Sequence, residues 1–358
     1  MRVFIPTQTF PPQMGGMENV MAALAEKFGK AGYAVTVLPK NQTPDSCNYQ
    51  IVHRRLPKFL RNAYKRRYLA GNLTKDDLVI CDSWKSVAAV PSHDGKLVVL
   101  AHGQEYLKTG RRAKQVQAAL NRATHIVSSS EFTLDLIKGN WNIEHLHACM
   151  IPPTYMLADK PANSDSEPNG ANDMLRLVSI CRLEKRKGLQ QAMEALFELG
   201  HTIPEWHWYI GGTGPQETEL QALIDRFHLR DKVSLLGRVD ETEKENLLSQ
   251  ADLFIMPSYQ EGNSLEGFGI SYAEAASHGL PAIAGCEGGA PEAVIDGMTG
   301  WCVDPTTNSE LRDCLEQALI NTSEREKRGA NASDDFVKRL NGTASFTKFC
   351  REIEVAGL

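Results

Sequence analysis

The residues of clearest chemical content are those able to grip a phosphate. Arg182-Leu-Glu-Lys-Arg-Lys187-Gly188 follows an apolar, strand-like run, so a guanidinium and an ammonium stand five residues apart at its end. At the carboxyl end of a parallel strand that pair suits a diphosphate. A solvated charged loop is the competing reading, and Lys185 and Arg186 are expected to be its solvated part. Glu266-Gly-Phe-Gly-Ile-Ser-Tyr-Ala-Glu274 puts one carboxylate ahead of a Gly-Phe-Gly loop that opens a helix, and a second more than a turn into that helix. The amides of Gly267, Phe268 and Gly269 would then face an anion lying between the two acids; a surface pair of glutamates is the plain alternative. Gly288-Gly289-Ala-Pro-Glu292, with Asp296-Gly297 after it, is a second glycine-rich turn into a helix. Near the N-terminus, Gly15-Gly16-Met17-Glu18 lies between a strand and a helix, where paired glycines admit a ligand close to the backbone and the helix start offers unpaired N–H groups. Each cluster alone is a weak signal.

A different chemistry is written in residues 54–68. Seven of these fifteen residues are basic (Arg54, Arg55, Lys58, Arg61, Lys65, Arg66 and Arg67), none is acidic, and Leu56, Phe59, Leu60, Tyr64 and Tyr68 are interleaved. Such a stripe suits an anionic membrane surface or a phosphate-bearing lipid acceptor, at about 1 kcal/mol per basic residue near the surface. A second cluster, Lys108 to Lys114, adds Arg111 and Arg112. A merely solvated helix face is the plain alternative. Nucleic acid is disfavoured, because these residues lie in no recognisable nucleic-acid module.

The elements that must position these groups follow a βα rhythm in both halves. In the first, strands are expected at 2–6, 34–39, 78–82, 96–102 and 125–130, with helices over 18–31 and 111–123. In the second, strands are expected at 175–183, 206–212, 233–237, 251–258 and 281–285. Short apolar strands alternating with helices imply parallel sheets covered on both faces, hence an α/β chain of two facing Rossmann-like domains. The expected division is 1–158 for the first domain, a linker or exposed loop at 159–173 (DKPANSDSEPNGAND), and 174–337 for the second. Amphipathic helices over 333–356 are expected to return, with about 338–358 packing on the first domain.

Composition sets the outer limits. A length of 358 residues allows two domains, and 42% hydrophobic with 23% charged residues describes a chain with cores. The first 150 residues carry 20 Lys and Arg against 11 Asp and Glu, and the remainder 19 against 33, so the halves differ in sign. No apolar run approaches the roughly 18 residues a spanning helix needs, and MRVFIPTQTF reads as a first strand rather than a signal peptide. The eight cysteines include no CxxC pair and several sit in strand-like runs, as for reduced thiols in a cytosolic protein.

Taken together, in this order and across both halves, the four phosphate-gripping clusters resemble the retaining glycosyltransferases of carbohydrate-enzyme family four, whose fold is GT-B. The likeness spans nearly the whole chain and is strongest from Ala251 to Pro305, through EGFGISYAEAASHGLPAIAGCEGGAPEAVIDGMTGWCVDP. The EGNSL insertion before Glu266 and the GGAPEAV wording are most similar to the bacterial lipid-linked mannosyltransferase branch. By position, the resemblance implies that Arg182 and Lys187 hold the donor diphosphate beside Gly15 and Gly16. It implies that Glu266 stands at the transferred sugar, Glu274 at the ribose, and His102, in LAHGQEY, opposite the reacting sugar. Glu105, Ser130 and Glu131 are lesser polar candidates.

The resemblance further implies transfer of a hexose from GDP-mannose or a UDP-sugar to a lipid-linked or saccharide acceptor, with retained configuration, in cell-envelope glycan synthesis. In such a reaction cations and helix N-termini stabilise the departing diphosphate, so Glu266 positions the sugar without acting as nucleophile. No DxD pair occurs at a strand end, and neither metal nor other cofactor is expected. The expected location is cytoplasmic, peripheral on the inner face of the membrane. The rival readings are a sugar-nucleotide 2-epimerase of similar fold and a non-catalytic sugar-nucleotide-binding subunit. A dinucleotide oxidoreductase is disfavoured because no GxGxxG follows the first strand.

Overall fold

The computed structural model describes residues 1–13, 15–41, 43, 46–107, 109–159 and 174–355. The expected linker lies outside them from residue 160 onward, as does Lys108. Two compact units are present: Met1–Leu157 together with Gly342–Leu358, and Ala158–Asn341.

The first unit runs β1 (Arg2–Pro6), α1 (Gly16–Lys30), β2 (Ala34–Leu38), β3 (Gln50–Ile51), α2 (Lys58–Asn72), β4 (Leu78–Cys81), β5 (Leu97–Ala101), α3 (Gly110–Leu120), β6 (His125–Ser128), α4 (Glu131–Asn140) and β7 (His147–Met150). Its seven strands are parallel in the order β3-β2-β1-β4-β5-β6-β7. Strands buried on both faces need unbroken apolar runs; all five residues of β5 and all four of β4 are buried accordingly. The order reverses between β1 and β4, which opens a crevice at their carboxyl ends.

The second unit runs β8 (Leu175–Ile180), α5 (Leu189–Leu199), β9 (Trp206–Gly211), α6 (Glu217–Arg226), β10 (Val233–Gly237), α7 (Glu241–Ser249), β11 (Leu253–Met256), α8 (Ile270–Ser277), β12 (Ala282–Gly285), α9 (Ala290–Ala293), β13 (Gly300–Val303), α10 (Asn308–Ile320) and α11 (Thr322–Asp335). Six parallel strands take the order β10-β9-β8-β11-β12-β13, with the reversal between β8 and β11. The sheet packs on a core that includes Leu177, Trp208, Leu253, Ile283 and Leu315.

Several elements differ from expectation. The strand expected over 175–183 ends at Ile180, because Cys181 onward turns across the sheet end, and the one expected over 251–258 narrows to Leu253–Met256. β3, β7 and β13 were not anticipated. β3 is two residues long, β7 opens on an exposed His147, and β13 begins with a glycine. At the C-terminus α11 ends at Asp335, a π-helical turn covers Phe336–Leu340, and α12 (Gly342–Glu352) belongs to the first unit. There Phe346 stacks edge-on against Phe28 at 4.9 Å and Phe349 against Tyr155 at 5.7 Å. Lys96 Nζ donates to the carbonyls of Ile353 and Glu354 at 2.7 and 2.8 Å.

Candidate active site

In the second unit the Arg182–Gly188 loop is clamped from two sides. The Leu183 N–H donates to the Thr213 carbonyl (3.1 Å) and the Gln216 N–H to the Leu183 carbonyl (3.0 Å), which ties the loop to the turn after β9. On the other side the Tyr259 N–H donates to the Arg186 carbonyl at 2.9 Å. Gly188 has φ 70°, and a Cβ there would lie 2.0 Å from the Pro257 carbonyl oxygen, so only glycine lets the loop close on the end of β11. Lys185–Lys187 form one 3₁₀ turn between these clamps.

That turn aims two cations at one acid. Glu266 Oε2 accepts from Lys187 Nζ at 2.5 Å and from Arg186 Nη1 at 2.8 Å. The three side chains are 12%, 7% and 12% exposed in the order Glu266, Lys187, Arg186. Burial pushes the Glu266 carboxyl up, but Lys187 and Arg186 outweigh it and hold the group below the usual carboxylate range. Burial likewise pulls Arg186 down, and Glu266 with Glu184 outweighs it in the opposite direction. Arg186 therefore departs from the expected solvated loop: the 3₁₀ turn points it inward beside Lys187. Lys185 is half exposed, 3.6 Å from Glu261. Arg182 is 72% exposed and pairs with Glu184 at 3.2 Å.

The loop after Glu266 is backed by the second glycine-rich turn. The Gly289 N–H donates to the Glu266 carbonyl at 2.9 Å. A Cβ on Gly288 (φ 68°) would lie 2.5 Å from that same oxygen, and one on Gly289 2.1 Å from the Gly267 carbonyl. Phe268 is buried, and Gly269 caps α8 with φ 87°. Tyr272 Oη donates to the Met256 carbonyl at 2.5 Å, which pins the first turn of α8 to β11. Glu274, further along α8, accepts from Lys244 Nζ of α7 at 2.6 Å, and Lys244 also pairs with Glu241 at 2.9 Å. Burial pushes Glu274 up against the pull of Lys244. Burial would lower Lys244, but Glu274 and Glu241 raise it. Lys244 escaped the sequence reading because nothing local relates it to a residue thirty positions away.

In the first unit, Gly15 and Gly16 sit at the start of α1, Gly15 as its cap. The preceding loop is organised by Asp82, a buried residue at the end of β4 that the sequence reading did not select. Its Oδ2 accepts from Thr7 Oγ1, the Gln8 and Thr9 amides and Thr9 Oγ1 at 2.8–3.0 Å, and its Oδ1 from Ser86 Oγ. His102, after β5, has Nε2 3.2 Å from the Asp82 carbonyl, and its N–H donates to Glu105 Oε1 at 2.6 Å. His102, Asp82 and Gly15 thus stand at or beside the carboxyl ends of β5, β4 and β1. Ser130 is a helix cap, its Oγ accepting from the Thr133 N–H at 3.0 Å.

The basic stripe occupies α2 and the residues before it. Arg54, Arg55, Lys58, Arg66 and Arg67 are exposed, and Arg61 is half-buried with Nε donating to the Leu56 carbonyl. Phe59 is 80% exposed and Leu60 41%. Lys65 departs from the expected surface role. It lies on the inward face of α2, 5% exposed, and donates from Nζ to the Thr7 carbonyl at 2.7 Å. Burial pulls its ammonium down to about 8.

Two parallel-sheet units, each with polar groups gathered where the strand order reverses, and one with cations packed around a carboxylate, suit the binding of a nucleoside diphosphate. Family models name the class of protein. "Glycosyl transferases group 1" matches residues 163–335 and "Glycosyltransferase Family 4" residues 14–155. The GDP-mannose-dependent α-(1-6)-phosphatidylinositol monomannoside mannosyltransferase of Mycolicibacterium smegmatis is 37% identical over 345 residues, 89% of each chain. A monoacylated-substrate counterpart from Corynebacterium glutamicum is 35% identical over 356 residues, 92% of this chain and 91% of its own. Among solved structures, Anabaena Alr3699/HepE in complex with UDP and glucose superposes with a TM-score of 0.78 at 17% identity, covering 99% of this chain and 100% of its own. The chain belongs to glycosyltransferase family 4 and has the GT-B fold.

Proposed function

We propose that the protein transfers mannose from GDP-mannose, with retention and without a metal ion, to a lipid-linked acceptor at an anionic membrane surface. The observation that carries the reading is the Lys187–Glu266–Arg186 cluster at the carboxyl ends of β8 and β11. Lys187 and Arg186 offset Glu266 and Glu184, the second acid on Arg186, so Arg182 on the same loop is the cation in excess where a diphosphate would depart. Charge that is already oriented stabilises a leaving group without reorganisation at the moment of reaction. Glu266, tied to two cations, serves to orient the sugar, and Glu274 holds the ribose by exchanging its contact with Lys244. In the first unit His102 is the candidate for contact with the reacting sugar, and α2 the candidate approach for the acceptor lipid. The donor assignment is supported by the two full-length mannosyltransferase relatives.

No helix among the described residues is long and apolar enough to cross a membrane; attachment from the cytoplasmic side through α2 is the corresponding proposal. The test is transfer from radiolabelled GDP-mannose, UDP-glucose and UDP-N-acetylglucosamine into extracted membrane lipid, with and without EDTA, and with the anomeric configuration read by linkage-specific mannosidases. Mannose in an α-linkage, insensitive to EDTA, is the expected result. Labelling only from a UDP-sugar, inversion, or loss of transfer with EDTA at unchanged Tm each overturns the corresponding part. Donor consumption without acceptor would point instead to an epimerase.

A further inference from the structure

The first unit carries a second cluster of reactive side chains, on the edge strand β7 at its amino end, whereas His102 follows the carboxyl end of β5. His147 opens β7, Cys149 follows two residues later, and alternation along a strand places both on one face. The last residue of α12, Glu352, meets that face. One ring nitrogen of His147, the Sγ of Cys149 and one carboxylate oxygen of Glu352 lie within 4.8 Å of one another. We propose that these three residues form a divalent-metal site, suited by its ligands to zinc, which fastens α12 to β7.

The donor set is the first argument. Imidazole, thiolate and carboxylate are the three side-chain types that zinc takes, at about 2.0–2.3 Å each, which puts neighbouring ligands of a tetrahedral ion about 3.5 Å apart. His147 Nε2 and Glu352 Oε2 are already 3.3 Å apart. Cys149 therefore defines the inner wall, and His147, half exposed, has the freedom to close on an ion. The neighbouring strand is the second argument. His125 is the register partner of His147 on β6, its ring centroid 5.4 Å away on the same face. Its Nδ1 lies 2.8 Å from Thr124 Oγ1, which leaves Nε2 for a fourth position that water would otherwise fill. Cationic competition comes from the solvent-exposed Arg351, 3.1 Å from the other Glu352 oxygen, and from Lys348 near Cys149 and Lys96 near His125.

The binding step balances simply. The Cys149 Sγ lies 4.0 Å from the Ile126 carbonyl. The metal–sulfur bond forms as the S–H bond breaks, the proton passes to solvent, and affinity rises with pH. An ion here would cross-link α12 to β7, adding to the Phe346 and Phe349 contacts.

The experiment titrates the metal-stripped full chain with Co²⁺ and then Zn²⁺. One equivalent of Co²⁺ is expected to give a thiolate-to-metal charge-transfer band in the near ultraviolet that Zn²⁺ abolishes, and Zn²⁺ is expected to raise Tm. Cys149→Ser should remove the band. His147→Ala, a half-exposed position, should keep the metal-free Tm, lose the Zn²⁺-induced rise and weaken Zn²⁺ at least tenfold. Should Cys149→Ser fail to fold, His147→Ala and Glu352→Gln carry the decision. Absence of the band, or Zn²⁺ affinity unchanged in His147→Ala and Glu352→Gln (an adventitious ion only), overturns the proposal.

Discussion

Lys187 donates to Glu266 across 2.5 Å, and Arg186 reaches the same carboxylate oxygen at 2.8 Å. An acid held this way has its charge spent twice over, which makes it a poor nucleophile and a good anchor. A double-displacement glycosidase needs a second carboxyl about 5 Å from the first, one of them free to attack. Here two cations share the Glu266 oxygen, and the neighbouring acid Glu184 is itself held by Arg186 at 3.0 Å.

Glu266→Gln keeps the shape and removes the charge. Lys187 then faces a neutral amide while Arg186 keeps Glu184, and breaking a buried pair by one partner is destabilising by about 3 kcal/mol. The expected outcome is a lower Tm and a kcat reduced about 100-fold or more, measured with saturating GDP-mannose. Near-normal transfer would remove the positioning role.

Gly188→Ala tests the loop that delivers both cations. Position 188 combines φ 70° with a Cβ site 2.0 Å from the Pro257 carbonyl, so backbone strain of about 1–3 kcal/mol is added to a collision. Gly32 is the control: its φ is 87°, but a Cβ there meets nothing within 4 Å. Both variants should lose some stability. Only Gly188→Ala should raise the donor KM, at least tenfold, because only there does relief of the collision move Lys187 and Arg186. Equal KM values in the two would show that the loop's closure does not position them.

What was legible beforehand follows from the range of the forces involved. The apolar runs of β1, β5 and β11 announce buried parallel strands, since a strand covered on both faces has no alternative pattern. Glycine-rich turns at 15–16, 267–269 and 288–289 are equally local. Arg186 was misjudged because charge alone does not tell which side of a one-turn 3₁₀ helix faces inward; that depends on the Tyr259 amide and the Pro257 carbonyl, seventy positions away. Lys65 was misjudged for a related reason. A run of seven cations looks uniform in sequence, yet helical periodicity turns one of them toward Thr7. Asp82 carries no motif, and only the fold brings five donors to it.

Lys65 also makes the stability pH-dependent in a predictable sense. Its ammonium titrates near pH 8 in the folded chain, against 10.5 for an ordinary lysine, chiefly through burial, with Arg61 and Lys40 adding repulsion and Asp82 opposing. Between these values the unfolded chain binds the extra proton, so this group's contribution to stability rises as pH climbs from about 8 to about 10.5. Below pH 8 the folded state carries the full penalty, roughly 3 kcal/mol. The buried thiols and tyrosines bend the profile the other way above pH 9, so the comparison must be with Lys65→Met. The stability difference, variant minus parent, should be largest at pH 7 and shrink toward pH 10 in urea titrations. A difference independent of pH would show that Lys65 keeps an ordinary pKa.

The membrane reading of α2 turns on two apolar residues as much as on the cations. Phe59 and Leu60 stand at the start of the helix, 80% and 41% exposed, with Arg54, Arg55, Lys58, Arg66 and Arg67 exposed around them. Inserting such side chains into a bilayer interface gains about 1.5–3 kcal/mol each if burial is complete, and each nearby cation about 1 kcal/mol on an anionic surface. The two contributions separate by salt. Phe59→Ser with Leu60→Ser should lower the partition onto anionic vesicles at least tenfold while leaving its salt dependence, whereas Arg66→Glu with Arg67→Glu should flatten the salt dependence and erase the preference for anionic over neutral lipid. Neither pair should change Tm, since none of the four side chains is buried, and neither should change kcat toward a detergent-solubilised acceptor. Co-sedimentation that is equal on neutral and anionic vesicles for the parent chain would sink the surface role of α2 and with it the proposed route of the acceptor.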